Sequence, residues 1–266
     1  MPDIHVDIKI SIVKMLKFVL LCLIILCLIQ NVNSLEIKGT YHTWLITLPL
    51  PTDIVKHMLP VGVSLVTPTG FSLPPGTHPI MLELGRELNC GPVIFKFLQT
   101  NFMEAKFDIP FVQIENNSGI FNLKQVVYVD SVVQSVGASV TYKLNSAKAV
   151  MEMTDSVYKI NHESSTLQAN ITEDGDWGKV EDLPNFNFYE AVLRQTWFGK
   201  DIHTCGQHTY DLSDANVKPV KATLQATAGL FNDYFPLSKF IVESIQQPLG
   251  AVEAYMNFTI ASPQKC

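Results

Sequence analysis

Two imidazoles and a thiol fall close together in Asp201-Ile202-His203-Thr204-Cys205-Gly206-Gln207-His208. His203, Cys205 and His208 are ligand types that zinc or copper takes, and three such donors suffice for a metal site. The thiol has a competing use, because a cysteine in an oxidising compartment is more often bridged than metallated. No metal or other cofactor is therefore expected. His162-Glu163 lacks the second histidine of a metalloprotease helix, and the chain has no Gly-x-Ser-x-Gly elbow and no Gly-x-Gly-x-x-Gly loop. Hydrolase and nucleotide-binding readings have no motif to stand on.

The compartment is read from the N-terminal region. Phe18 to Ile29 is an uncharged apolar run of twelve residues preceded by Lys17 and followed by Gln30-Asn31-Val32-Asn33-Ser34. That is the pattern of a secretory signal peptide, with small residues Val32 and Ser34 at the cleavage point. Twelve helical residues span about 18 Å, short of the roughly 30 Å hydrocarbon core, so a stable membrane anchor is not expected after cleavage. An uncleaved signal anchor is the competing reading. Residues 1–34 are assigned to the signal region, with Met15 an alternative start, and residues 35–266 to one domain. Secretion leaves Cys90, Cys205 and Cys266. Cys90 with Cys205 is the expected bridge, because Cys266 ends the chain; the other two pairings stay open. Sequons at Asn116, Asn170 and Asn257 fit the same route.

Composition sets outer bounds. The chain has 266 residues, 47% of them hydrophobic and 17% charged, enough for a sizeable core. Its net charge of −6, with no basic cluster, excludes nucleic acid as a natural partner. The elements that must position any site read mainly as strands, because short alternating runs are set off by Pro, Gly and Asn. In Glu104 to Ile114, Phe107, Ile109 and Phe111 share one face while Lys106 and Asp108 share the other. Val126–Val129, Ala138–Leu144, Ala147–Met153, Val157–Ile160, Ser165–Ile171 and Lys221–Ala228 are further strand candidates. Thr52 to Leu59, opened by a capping Thr or Asp, and Pro236 to Gln246 read as short helices.

The order of these pieces carries a resemblance. Trp44 to Leu48, Thr52-Asp53, Leu59-Pro60-Val61-Gly62, Phe102-Met103-Glu104, Ile109-Pro110, Val127-Tyr128-Val129-Asp130 and a last strand over Ala251 to Ile260 resemble, in sequence order, the acetoacetate decarboxylase-like family. The resemblance covers most of residues 39–260. It implies a mainly β (α+β) fold, a closed antiparallel barrel with a few short helices. It also implies a small-molecule cavity in which a lysine forms a Schiff base with a β-keto acid, its amine kept neutral by a second cation beside it.

The lysine segment departs from the family. After Gly137 the chain reads Ala138-Ser139-Val140-Thr141-Tyr142-Lys143-Leu144-Asn145-Ser146-Ala147-Lys148, without the family's lysine pair or its Gly-Arg-Glu context. In one register Lys143 is the nucleophile, served by Glu104; in the other Ser146 takes its place and Lys148 is the substitute. Gly85-Arg86-Glu87 repeats the family's string, but it precedes Glu104 and reads as coincidence. Tyr128 and Tyr142, with aromatic residues such as Phe186, Phe188, Tyr189 and Trp197, are candidates to line the cavity. The expected function is that of a poor decarboxylase, or of a non-catalytic binder of a small apolar or carboxylate ligand.

Overall fold

The computed structural model describes residues 36–71, 73–93, 95–183, 186–226 and 249–266, together with the backbone of 240–242. The signal region, and the aromatic residues Phe231, Tyr234 and Phe235, lie outside them. The chain opens with β1 (Ile37–Pro51), α1 (Thr52–His57), β2 (Val63–Leu65), β3 (Thr77–Pro92), β4 (Thr100–Ile114) and β5 (Phe121–Val129). It continues with α2 (Val132–Thr141), β6 (Ser146–Lys148), β7 (Val150–Met153), β8 (Val157–His162), β9 (Ser165–Glu173), β10 (Gly178–Lys179) and α3 (Phe186–Leu193). The last elements are β11 (Thr196–Phe198), β12 (Thr204–Gly206), β13 (His208–Ala226), β14 (Phe240–Val242), β15 (Ala251–Ile260) and β16 (Gln264–Lys265).

One sheet runs β16-β12-β11-β5-β4-β3-β1-β15-β13-β9-β8-β7, with β2, β6, β10 and β14 attached to its sides. The mainly β architecture is as expected, but the sheet does not close into a barrel. The outer edge of β5 is divided between two short parallel strands, β11 at Phe121–Leu123 and β6 at Val127–Val129. Those pairings occupy the edge on which a ring would close, and the path ends at β7 and at the two-residue β16. They also make the sheet mixed rather than purely antiparallel.

Three local expectations are corrected. Ala138–Leu144 does not form a strand, because Val132–Thr141 is a helix whose N-cap Ser131 accepts a hydrogen bond from the Gln134 amide. Valine-rich composition suggested β structure, yet Val132, Val136 and Val140 recur every four residues, which is helical spacing. α1 is present, but its N-cap is Pro51, without a side-chain capping bond. Within the expected helix 236–246, residues 240–242 form β14 against β13, and the remainder lies outside the described residues.

The disulfide is also corrected. Cys205 is bonded to Cys266, Cα to Cα 5.0 Å, and Cys90 is free and buried. The C terminus is held because β16 pairs with β12 in the register Cys205↔Gln264, and the Cys266 amide donates to the His203 carbonyl over 3.2 Å. Cys90 instead sits on β3, among the apolar residues packed on the face that carries Tyr41 and Phe102. Of the sequons, Asn116 lies exposed after β4, Asn170 is half-buried on β9, and Asn257 is exposed on β15, where its Oδ1 accepts from Thr40 Oγ1 at 2.9 Å.

Peptide mapping without reduction is expected to yield a linked Cys205/Cys266 pair, with Cys90 alkylated only after denaturation. The loop closed by this bridge spans 61 positions. Loop-closure entropy makes Cys266→Ser destabilising by about 4 kcal/mol in denaturant unfolding. A Cys90–Cys205 peptide would contradict this topology.

Candidate active site

Alternation along three long strands gathers the only dense group of charged side chains in the buried interior of the described residues. Successive side chains of a strand point to opposite faces. On β3 that places Glu83 and Glu87 together; on β4 it groups Glu104, Lys106 and Asp108; on β5, Asn122 and Lys124. The register sets Glu83 opposite Lys106 and Asp108 opposite Lys124. The other face of the same strands, with Leu82, Leu84, Ala105, Phe107 and Ile109, is buried in one apolar cluster. The charged face is buried too, among Tyr41, Leu45, Met81, Phe102 and Val127. Gly85 lets β1 approach at this point, since a Cβ there would fall 2.3 Å from the His42 carbonyl oxygen. The Tyr158 hydroxyl, on the opposite face, lies within hydrogen-bond distance of the Gly85 and Glu104 carbonyls, 3.0 and 2.9 Å away.

Two ammonium groups are shared among four carboxyls. Lys106 Nζ stands 2.7 Å from Glu104 Oε2, 3.4 Å from Glu83 Oε2 and 3.7 Å from Glu87 Oε1, and 4.3 Å from the centre of the Tyr41 ring. The Glu104 contact is an ion pair with poor hydrogen-bond alignment, and the bond Lys106 does donate goes to Glu83. Lys124 Nζ donates to Asp108 Oδ2 at 2.6 Å and to Glu83 Oε1 at 3.1 Å. Asn122 Nδ2 donates to Asp108 Oδ2 at 2.8 Å. Glu83 thus bridges both lysines.

The proton inventory follows from this geometry. Burial alone would raise the Glu83 carboxyl, but Lys124 and Lys106 outweigh it and hold Glu83 well below the usual carboxylate range. Burial pushes Glu104 up to about 8, against the pull of Lys106 and with the help of Glu87. Burial likewise pushes Asp108 up to about 7, with Lys124 opposing and Glu83 assisting. For the amines, burial lowers Lys106, yet Glu104, Tyr41 and Glu83 bring it well above its ordinary value. Lys124 is raised in the same way, burial being overcome by Asp108 and Glu83. Burial and the two lysines keep His208 well below its ordinary value, and its Nδ1 accepts from Trp197 Nε1 at 2.8 Å, which leaves its proton on Nε2. The cluster therefore holds two ammonium ions and protonated carboxyls that can donate. Four polar atoms of this face, Tyr41 OH, Glu104 Oε2, Asp108 Oδ1 and Asn122 Oδ1, have no hydrogen-bond partner among the described residues.

Of the residues singled out from sequence, Glu104 belongs to this cluster and the lysines do not. Lys143 is exposed, at a positive φ of 55° just beyond the end of α2, and the ammonium beside Glu104 is that of Lys106. Lys148 is exposed at the end of β6. Ser146 is half-buried, its hydroxyl donating to Ser135 Oγ at 3.4 Å. Tyr128 is buried on the opposite, apolar face, and Tyr142 packs on the Trp197 ring with its hydroxyl donating to the Ala261 carbonyl at 3.2 Å. The His203-Cys205-His208 group is dispersed: Cys205 is in the disulfide and His208 is bonded to Trp197.

Sequence reading missed Glu83, Glu87, Lys106, Asp108, Asn122 and Lys124. The signal was present in Glu83-x-Gly85-x-Glu87 and Glu104-x-Lys106-x-Asp108, charged residues at alternate positions of long strands. Alternation reports two faces without saying which faces water. Gly85-Arg86-Glu87, read as coincidence, supplies both the close strand approach and one carboxyl of the site. Phe111 does not share the face of Phe107 and Ile109, because the register shifts between Ile109 and Val112.

Solved structures share this fold. An acetoacetate decarboxylase superposes with a TM-score of 0.59 at 10% identity, covering 87% of this chain and 89% of that one. The acetoacetate decarboxylase of Legionella pneumophila gives 0.56 at 10% identity, with 88% and 87% covered. The enduracididine biosynthesis enzyme MppR complexed with pyruvate gives 0.57 at 11% identity, with 86% and 90% covered. No family profile matches the sequence, and no curated protein does. The chain has the acetoacetate decarboxylase-like fold.

The raised carboxyls make stability fall as pH rises from 6.5 to 8. Unfolded, Glu104 and Asp108 are ionised throughout that window; folded, they hold protons up to about 8 and about 7. The folded state therefore binds more protons, and its advantage is lost as they leave, about 2 kcal/mol across the window. His208 works in the opposite direction only below its ordinary value of 6.5, where the unfolded chain takes up a proton first. Urea melts across pH 6.5–8 should show this decline, and Glu104→Gln should remove most of it; a parent curve that is flat or rises would contradict the proton inventory.

Proposed function

We propose that this is a secreted protein that uses the acetoacetate decarboxylase-like fold to hold a small neutral ligand at its carboxyl-rich interior, and that it does not run Schiff-base decarboxylation. The observation that carries the proposal is the Glu83 carboxylate set against both buried amines, 3.4 Å from Lys106 and 3.1 Å from Lys124. An amine attacks a carbonyl only as the neutral base, so an enzyme must lower a lysine from about 10.4 towards working pH. Here the carboxyls act in the opposite sense, and Lys143 and Lys148 lie exposed, away from the buried cluster.

The charge balance argues for the ligand class. MppR is described with pyruvate, an anion. In this chain, both buried ammonium ions are already engaged by carboxylates, and a keto acid would add a desolvated negative charge without a cation to receive it. A neutral carbonyl or hydroxyl compound meets no such cost: a protonated Glu104 donates, Asn122 Oδ1 accepts, and Tyr41 OH does either. Secretion is supported by the apolar run Phe18–Ile29 and by the Cys205–Cys266 bridge, which belongs to an oxidising compartment.

The test has a covalent and a binding arm. Incubation of the full chain with acetoacetate or pyruvate and borohydride, followed by peptide mapping, is expected to give no lysine adduct and no carbon dioxide. A neutral methyl ketone at the same concentration is expected to raise the melting temperature more than acetoacetate does. Adduct formation at Lys106, Lys124 or Lys143, with carbon dioxide release abolished by the matching Lys→Ala change, would overturn the proposal in favour of a carboxy-lyase.

A further inference from the structure

Three neighbouring strands turn a block of polar side chains to one face. Across β1, β15 and β13 the register sets Lys38 opposite Thr259 and Thr259 opposite Thr209, then Thr40 opposite Asn257 and Asn257 opposite Asp211. These residues alternate along their strands, so both rows share a face. Phe258, between them on β15, turns the other way and packs edge-on against Tyr41 with ring centres 6.3 Å apart, so the block lies on the side away from the charged interior. The backbone bends here. Register shifts interrupt β1 between Lys38 and Thr40, β3 between Glu87 and Cys90, and β13 between Asp211 and Asn216. A strand bends and twists more strongly at such a shift. The result is a cleft of about 690 Å³, with Asn89 and Gln99 as its further wall.

The lining sets the class of occupant. Apart from one cation, Lys38, and one anion, Asp211, the polar side chains of the cleft are neutral hydroxyls and carboxamides. Such groups donate and accept alike, which is the complement of a polyhydroxyl compound. A charged ligand of either sign would meet one of the two charges and be repelled by the other. The volume falls within the roughly 300–1,000 Å³ of small-molecule sites.

The chain itself supplies a means of attaching one. Asn257-Phe258-Thr259 is a sequon, and its asparagine is exposed within the cleft. Asn257 Oδ1 accepts from Thr40 Oγ1 at 2.9 Å, while Nδ2, the atom that carries an N-linked sugar, makes no hydrogen bond among the described residues. A glycosylated amide keeps its oxygen, so the Thr40 bond survives attachment. The other sequons have no such bed. Asn170 is half-buried on β9 between β8 and β13, and its Oδ1 accepts from Gln168 Nε2 at 2.9 Å. Asn116 borders a smaller cleft of about 340 Å³ whose wall carries Glu115, His203 and Lys265.

We propose that Asn257 carries an N-linked glycan whose first sugars lie in this cleft, against Asn89, Gln99 and Thr209. The donor is a lipid-diphosphate-linked oligosaccharide. Asn257 Nδ2 forms a bond to the anomeric carbon of its first sugar as the carbon–oxygen bond to the diphosphate breaks; the diphosphate leaves with the bonding electrons, and Nδ2 gives up one proton. The glycan then covers the bent ends of β1, β13 and β15 with hydrogen-bonding groups that match their own. This inference rests on the secretion reading and is independent of what the interior binds.

The test expresses the full chain in a eukaryotic secretory host and treats the exported protein with a peptide N-glycosidase in water labelled with heavy oxygen, which leaves a labelled Asp where a glycosylated Asn stood. Peptide mass spectrometry is expected to find the label at Asn257 and none at Asn170. The Asn257 glycan is expected to leave the native protein at least about tenfold more slowly than the unfolded one, because hydrogen bonds in the cleft must break first. Thr209→Trp fills the cleft from an exposed position and keeps the sequon; it is expected to restore most of the lost rate, with matched circular dichroism verifying the fold. Gln99→Ala, which removes one amide of the wall, is expected to act in the same direction by a smaller factor. Exported protein unmodified at Asn257 would overturn this inference alone, as would equal release from native and unfolded protein or a rate that neither variant changes. A chain recovered from the cytosol with its N terminus intact would overturn the secretion reading, and this inference with it.

Discussion

Glu83 accepts from both buried ammonium groups, Lys106 at 3.4 Å and Lys124 at 3.1 Å, and the interior of the sheet is organised around that bridge. Two ammonium ions cannot stay in a low-dielectric interior unless carboxylates neutralise them, and a buried pair that loses one partner costs several kcal/mol. The bridge fixes the register of three strands, because Glu83, Lys106, Asp108 and Lys124 must fall on one face in adjacent rows. It also requires β1 to close over β3 at Gly85, where no side chain would fit. The remaining carboxyls then exceed the cations, and Glu104 and Asp108 respond by holding protons.

On the proposed reading, the same electrostatics holds both buried amines in their charged form. A carboxyl that neutralises an ammonium ion stabilises its charged form, whereas imine formation needs the uncharged one. Four carboxyls around two lysines secure the interior against unpaired charge and, by the same interaction, withhold a nucleophile. The similarity to acetoacetate decarboxylase structures, near 10% identity, is a similarity of backbone path, and a fold of this kind specifies where a site can be built, not which reaction it runs.

Much of the strand order was legible, because β4, β5, β8, β9 and β15 announce themselves by alternation, and turn residues separate them. The helix α2 was not, since four valines argue for a strand until their spacing is weighed against their type. The charged interior was legible only as a pattern of alternate residues on β3 and β4. Which face of a strand turns to water depends on partners far away in sequence, here Tyr41 on β1 and Lys124 on β5. The bridge Cys205–Cys266 depended on β16, a pairing of two residues too short to leave a periodic signal. Of the residues named by resemblance, Glu104 lies in the charged cluster, in a stretch where the order of strands follows the expected one, whereas Lys143 lies in solvent because α2 ends in a turn before it.

The account stands on the protonation of the two buried amines. Carbon-13 chemical shifts of lysine Cε, followed against pH in the labelled protein and assigned with Lys106→Arg and Lys124→Arg, report that protonation residue by residue. The account predicts that both side chains remain ammonium ions beyond the ordinary lysine value of 10.5. Titration of either one near pH 8 or below, with the fold intact, would contradict it and restore a Schiff-base nucleophile to the interior.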